Sequence, residues 1–217
     1  FLPTSFGLDS VYRGTLGTTR LENGRNNDAK RISYYSPEIG GLKLGFSYAN
    51  DGLQDNFGPT NCDTTSCNIF DAAAQYDLET DVFTLKASTR YSHLEGPASV
   101  GNGEIFGGGL HLGFGPVTIG GSYAEQKNLA ADNGHAFDAG IVLDLPDCPW
   151  AFSVTHFEGK NEEVVSEDKY QYMLVGANYT YNKFVGFSVF FVDHAVEPAA
   201  SADIDGTAGG VAMTLNF

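Results

Sequence analysis

The residues that could do chemistry in this chain are thinly spread. His93, His111, His135, His156 and His194 stand far apart, with no HExxH or GxSxG setting, so neither a zinc hydrolase nor a nucleophile elbow is encoded locally. The GNG and GGG runs precede no strand-to-helix step, so a phosphate would lack the helix N-terminus that cradles it. Cys62 and Cys67 bracket DTTS in a polar stretch, and Cys148 lies in PDCPW. In an oxidising compartment the first two could close a disulfide, against the rarity of so short a ring. A zinc site would need a second ligand pair nearby, and the sequence has none there. The expectation is a protein with no catalytic group and no metal centre.

What remains is charge. The formal net charge is -15, which argues against nucleic acid as a partner, because neutralising phosphates takes clustered Lys and Arg. Asp71, Asp77, Lys86, Arg90, Asp138 and Asp144 instead recur singly among glycines and serines. Each falls on the polar side of a segment that alternates with period two.

Those charges need an element with two unlike faces. In residues 31–49, RISYYSPEIGGLKLGFSYA, the set Leu42, Leu44, Phe46 and Tyr48 alternates with Lys43, Gly45, Ser47 and Ala49. The intervening SPEIGG is a turn, because proline fixes one dihedral and glycine permits positive φ. The pair is a β-hairpin, and its pattern repeats down the chain to the closing GGVAMTLNF. Eleven strands are predicted between Arg31 and Phe217. Residues 1–30 read as a long polar loop, or as a loop holding one strand from Val11 to Leu16. Short turns at PEIGG, ETD, GP, LPDCP and NK alternate with long polar stretches over residues 50–68, 93–103, 125–135, 158–169 and 193–208. Strands running up and down would then put all the short turns on one rim and all the long loops on the other.

No run approaches the ~20 apolar residues of a membrane helix, and a mean hydropathy of -0.17 is neutral, since a transmembrane strand averages its greasy and wet faces. The fold class expected is all-β: a transmembrane antiparallel up-and-down barrel, apolar side toward lipid and polar side toward water. A soluble binding module such as a lectin or a lipocalin-like barrel would bury the apolar side instead.

The hairpin RISYYSPEIGGLKLGFSYAND resembles the one after the constriction loop of Gram-negative general diffusion porins, especially the alphaproteobacterial kind. GGVAMTLNF is similar to the terminal strand of that family, and FLPTSFG to part of its inward-folded third loop. The resemblance implies a sixteen-stranded, trimeric, water-filled barrel in the outer membrane. Eleven strands would match the sixth to the last, so the chain is expected to be the C-terminal two-thirds of a longer protein. The alternative is a complete twelve-stranded barrel using Val11 to Leu16. Residues 1–30 would be the constriction-loop region and 31–217 the barrel strands. No leader peptide is visible at FLPTSFG.

The resemblance further implies acids on the third loop facing basic residues on the wall. Asp9, Glu22 and Asp28 are the loop candidates; Arg31, Lys43, Lys86 and Arg90 are the wall candidates; Asp71 and Asp138 are expected to face the lumen. The expected function is passive diffusion of small hydrophilic solutes and ions, with cations preferred because of the net negative charge. A substrate-specific porin, or another outer-membrane barrel of enzymatic or structural kind, is the alternative. No cofactor is expected. Asp51, Asp55, Asp63, Glu162, Glu163, Glu167, Asp168, Asp203 and Asp205 offer oxygens for a structural Ca2+ or for divalent bridges to lipopolysaccharide phosphates, although no spacing matches an EF-hand. The lipid bilayer, lipopolysaccharide and two further copies of the chain are the expected partners.

Overall fold

The computed structural model describes residues 29–54, 62–63, 66–97, 101–129, 132–162, 167–198 and 202–215. The period-two segments all form strands: β1 Ala29–Tyr35, β2 Leu42–Gln54, β3 Cys67–Glu79, β4 Thr84–Glu95, β5 Gly103–Phe114, β6 Val117–Leu129, β7 Asp132–Asp144, β8 Trp150–Glu162, β9 Glu167–Asn182, β10 Val185–Glu197 and β11 Ile204–Leu215. They form one sheet in sequence order, each strand antiparallel to the next. The described residues contain no helix. The alternative strand from Val11 to Leu16 lies outside the described residues.

Register follows from the alternation, because a one-residue slip would turn every side chain to the wrong face. Phe46 lies opposite Ala72 and Ser47 opposite Asp71; Ile119 lies opposite Ile141 and Ile141 opposite Val154. One face of the whole sheet therefore carries Phe46, Phe106, Ile141, Phe187 and Leu215. These residues keep 37% or more of their surface, with Phe46 at 43%, Phe187 at 45% and Leu215 at 47%. A soluble core would bury them, so the apolar side faces outward. Trp150, ring-packed against Tyr179 at 4.9 Å, closes this belt near the short-turn rim, where aromatic girdles sit.

The turns behave as their residues require. Ser36 Oγ accepts the Leu44 N–H at 2.9 Å, and Gly40 and Gly41 adopt φ of 59° and 86°. The Gly41 carbonyl oxygen also accepts the Asp77 N–H at 3.0 Å, which brings its Cα so close to β3 that a Cβ there would strike the Asp77 carbonyl oxygen. Around Gly40 there is open space. Gly41→Ala is thus expected to cost more than the ~1–2 kcal/mol of a left-handed non-glycine residue, and Gly40→Ala no more than that. Urea midpoints of the two variants, refolded in the same detergent, check the difference.

Two expectations change. The polar stretches over 125–135, 158–169 and 193–208, read as long loops, are largely strand: β9 spans 16 residues, and β6 and β7 13 each, against the ~9–11 that cross a bilayer. Polar residues on both faces erase the period-two signal beyond the membrane, so hairpin extensions look like loops in sequence. All five stretches do lie on one rim, but only residues 130–131 and 163–166 separate β6 from β7 and β8 from β9. The inward face is also not uniformly polar. Phe157, Tyr172, Leu174 and Val192 form a buried inward cluster with Ala136, where the Phe157 and Tyr172 rings stack at 4.5 Å. Phe157 keeps only 2% of its surface. Phe190, out of phase with its apolar neighbours in sequence, packs on this cluster, whereas Phe184 sits exposed in the β9–β10 turn.

Candidate functional site: the inward wall

Inward positions are those facing Ser47, Ala73, Ser88, Gly107, Ser122 and Thr155 along the register. Lys43 lies opposite Gln75, Asp77 opposite Lys86, Lys86 opposite His111, and Arg90 opposite Gly107. Asp138 lies opposite Ser122. The structure brings Lys43, Asp77, Lys86, Arg90, His111 and Asp138 together around one concavity of about 710 Å³. Asp71 sits beside it, accepting hydrogen bonds from Ser47 Oγ at 3.0 Å and from Ser92 Oγ and acting electrostatically on Arg90. Arg31 is on the edge strand β1 opposite Ala49, exposed and away from that concavity. Asp9, Glu22 and Asp28 lie outside the described residues.

Short polar residues fix the carboxylates. The Ser122 N–H and Oγ donate to the two Asp138 oxygens at 2.9 and 3.1 Å, and Gln75 Nε2 donates to Asp77 Oδ2 at 2.6 Å. A carboxylate bonded this way holds its direction, so its field points at a set place in the concavity. Lys43 reaches the turn instead, with Nζ 2.8 Å from a Glu38 oxygen. The basic residues are segregated: among the described residues, the inward positions of β5 to β11 carry no Lys or Arg, whereas Arg31, Lys43, Lys86 and Arg90 all come from β1 to β4. Of the five histidines, His111 faces inward, opposite Lys86 and Gly120. All five are in strands, and His194 also faces inward, opposite Gly206. Asp77 and Gln75 were legible only as members of a face; their meeting with Lys86 depends on pairing.

The outer surface beyond the apolar belt is a lattice of ion pairs. Lys160 Nζ lies 2.8 Å from both Glu162 and Glu167, and Lys169 lies 3.4 Å from Glu167 and 3.5 Å from Glu197. The hydrogen bond from Lys160 holds the Glu167 carboxyl below its ordinary value. Exposed pairs of this kind add little stability; they make the rim polar. At the same rim Cys62 and Cys67 are joined, with Cα atoms 5.5 Å apart, while Cys148 is free and exposed in the opposite, short-turn rim. Among the described residues no three His, Cys, Asp or Glu side chains come together as a metal-holding group.

The model of the Gram-negative porin family matches residues 3–216. The chain belongs to that family. Membership places this porin in the outer membrane of a Gram-negative bacterium, which agrees with its outward apolar belt. Comparison with curated proteins gives no match. Among solved structures, the porin is similar to the outer-membrane channel DcaP of Acinetobacter baumannii, at 10% identity and a TM-score of 0.60, covering 85% of this chain and 61% of that one. It is similar to an anion-selective porin from Comamonas acidovorans at 14% identity and 0.61, covering 88% and 64%. A trimer form of OmpT from Vibrio cholerae is similar at 12% identity and 0.58, covering 90% and 68%. At such identities the likeness is one of fold. The porin spans less than two thirds of the length of the first two.

Proposed function

We propose that this chain supplies part of the wall of a water-filled channel through which small hydrophilic solutes and ions diffuse passively, with cations preferred. The observation that carries the reading is the direction of the faces: Phe46, Phe187 and Leu215 outward, and Lys86, Arg90, Asp77 and Asp138 around the inward concavity. Such a wall keeps a solute hydrated and selects by width and field, with no bond made or broken. Cation preference is supported by the net charge of -15 and by the inward acids Asp51, Asp71, Asp77, Asp138, Asp144 and Asp168, which outnumber the inward Arg31, Lys43, Lys86 and Arg90. A low-dielectric wall focuses that excess into the bore.

In this reading Asp9, Glu22 and Asp28 belong to a constriction loop facing the basic strands. The protein assembles as a homotrimer, a state supported by the similarity to the trimer form of OmpT. Lipid covers the apolar belt, and the charged rim meets lipopolysaccharide, with Ca2+ on its acidic loops as a bridge. Full-length protein in planar bilayers tests the central claim. Ohmic steps with a reversal potential on the cation side of a KCl gradient are expected. Absence of conductance would remove the channel, and a reversal potential of the opposite sign would remove the cation preference alone.

A further inference from the structure

Several large side chains of the inward wall lie across a partner glycine. Arg90 and Gly107 are direct cross-strand partners, and a Cβ added to Gly107 would stand 3.2 Å from Arg90 Nε and 3.5 Å from its Cγ. His111 and Gly120 are partners in the same way, with the added Cβ 2.7 Å from His111 Cδ2 and 3.3 Å from Cγ. Tyr35 over Gly45, Phe190 over Gly210 and His194 over Gly206 repeat the arrangement on other strand pairs. In each pair the side chain occupies the space its partner glycine leaves empty.

We infer that Gly107 is a positioning residue for selectivity: it lets the Arg90 guanidinium rest across β5, and so sets both the width of the bore and the place from which that charge acts. The physical reason is one of height. A side chain standing at right angles to the sheet projects into the channel, whereas one laid across a neighbouring glycine stays near the wall. Any larger residue at 107 must move Nε of Arg90, because the added atom sits 3.2 Å from it, tighter than an ordinary contact, whereas Cγ at 3.5 Å is in ordinary contact. The Tyr123 carbonyl oxygen is the nearest backbone atom to that Cβ, at 3.5 Å, an ordinary contact. The displaced group is therefore the arginine rather than the strand.

The competing explanation is that these glycines only let the sheet bend and twist, as glycines in strands do. It predicts effects that do not depend on Arg90. The two are separated by a double-mutant cycle on the full-length protein in planar bilayers, read by single-channel conductance and by reversal potential in a KCl gradient. This inference rests on the channel reading above. Gly107→Leu is expected to lower conductance and shift the reversal potential, and most of both changes should vanish when Arg90→Ala is already present. Changes of equal size with and without Arg90→Ala would overturn the assignment while leaving the channel intact. A wild-type protein that conducts nothing would overturn the channel and this inference with it. Should Gly107→Leu fail to assemble, Gly107→Ala enters the same cycle. A methyl at 3.2 Å asks Arg90 to move by a few tenths of an ångström, so the same Arg90-dependent shift is expected in smaller size, and an Arg90-independent one overturns the proposal.

Discussion

Ile141→Lys should destabilise this porin by about 2–4 kcal/mol, the cost of a lysine on the lipid face near mid-membrane. Ile141 is 45% exposed and lies between Ile119 and Val154 on the outward side of β6, β7 and β8, so the ammonium would enter the apolar belt. The opposite side of the sheet sets the comparison. Ser88 is exposed on the inward wall, opposite Gln75 and Gly109, and Ser88→Lys should stay within about 0.5 kcal/mol of wild type because its charge remains in water. Equilibrium urea unfolding in lipid vesicles gives both numbers. If the lysine at 141 proved harmless and the one at 88 ruinous, the faces would be the other way round and the lipid-embedded reading would be lost.

The second large effect is on selectivity. Lys86→Glu together with Arg90→Glu is expected to raise the permeability of cations over anions about tenfold, the lower end of what a focused field produces. Both side chains line the same concavity as Asp77 and Asp138, and among the described residues the inward positions of β5 to β11 carry no Lys or Arg to compensate. The same double substitution at the outward Lys160 and Lys169 should leave the permeability ratio unchanged. Those two side chains point to the outer surface and end in pairs with Glu162, Glu167 and Glu197, where exposed charge is screened by salt. Reversal potentials measured at two salt concentrations distinguish the sites. Equal shifts from both pairs would mean that Lys86 and Arg90 do not face the conducting path.

The eleven strands could be read from Arg31 onward because the period-two pattern is local: Leu42, Leu44, Phe46 and Tyr48 announce their face without reference to any other strand. The strand ends could not. Past the membrane both faces meet water, so β8 through Lys160 and Glu162, and β9 from Glu167, lose the alternation and read as loop, although pairing continues. The inward cluster of Phe157, Tyr172, Leu174 and Val192 is not legible in any one strand, because its members come from β8, β9 and β10. Phe157 lies just before the polar stretch at 158–169, and only pairing sets it opposite Tyr172.

The amino-acid order alone determined the strand-forming pattern, the tight turns at glycine and proline, and the existence of one greasy and one wet side, since each depends on residues within a few positions of one another. Which charges meet was decided by the tertiary structure: Asp71 with Arg90, Lys86 with His111 and Asp77, Arg90 with the empty side of Gly107. Those meetings join residues on different strands, and a strand's own alternation carries no record of the register in which its neighbour will pair.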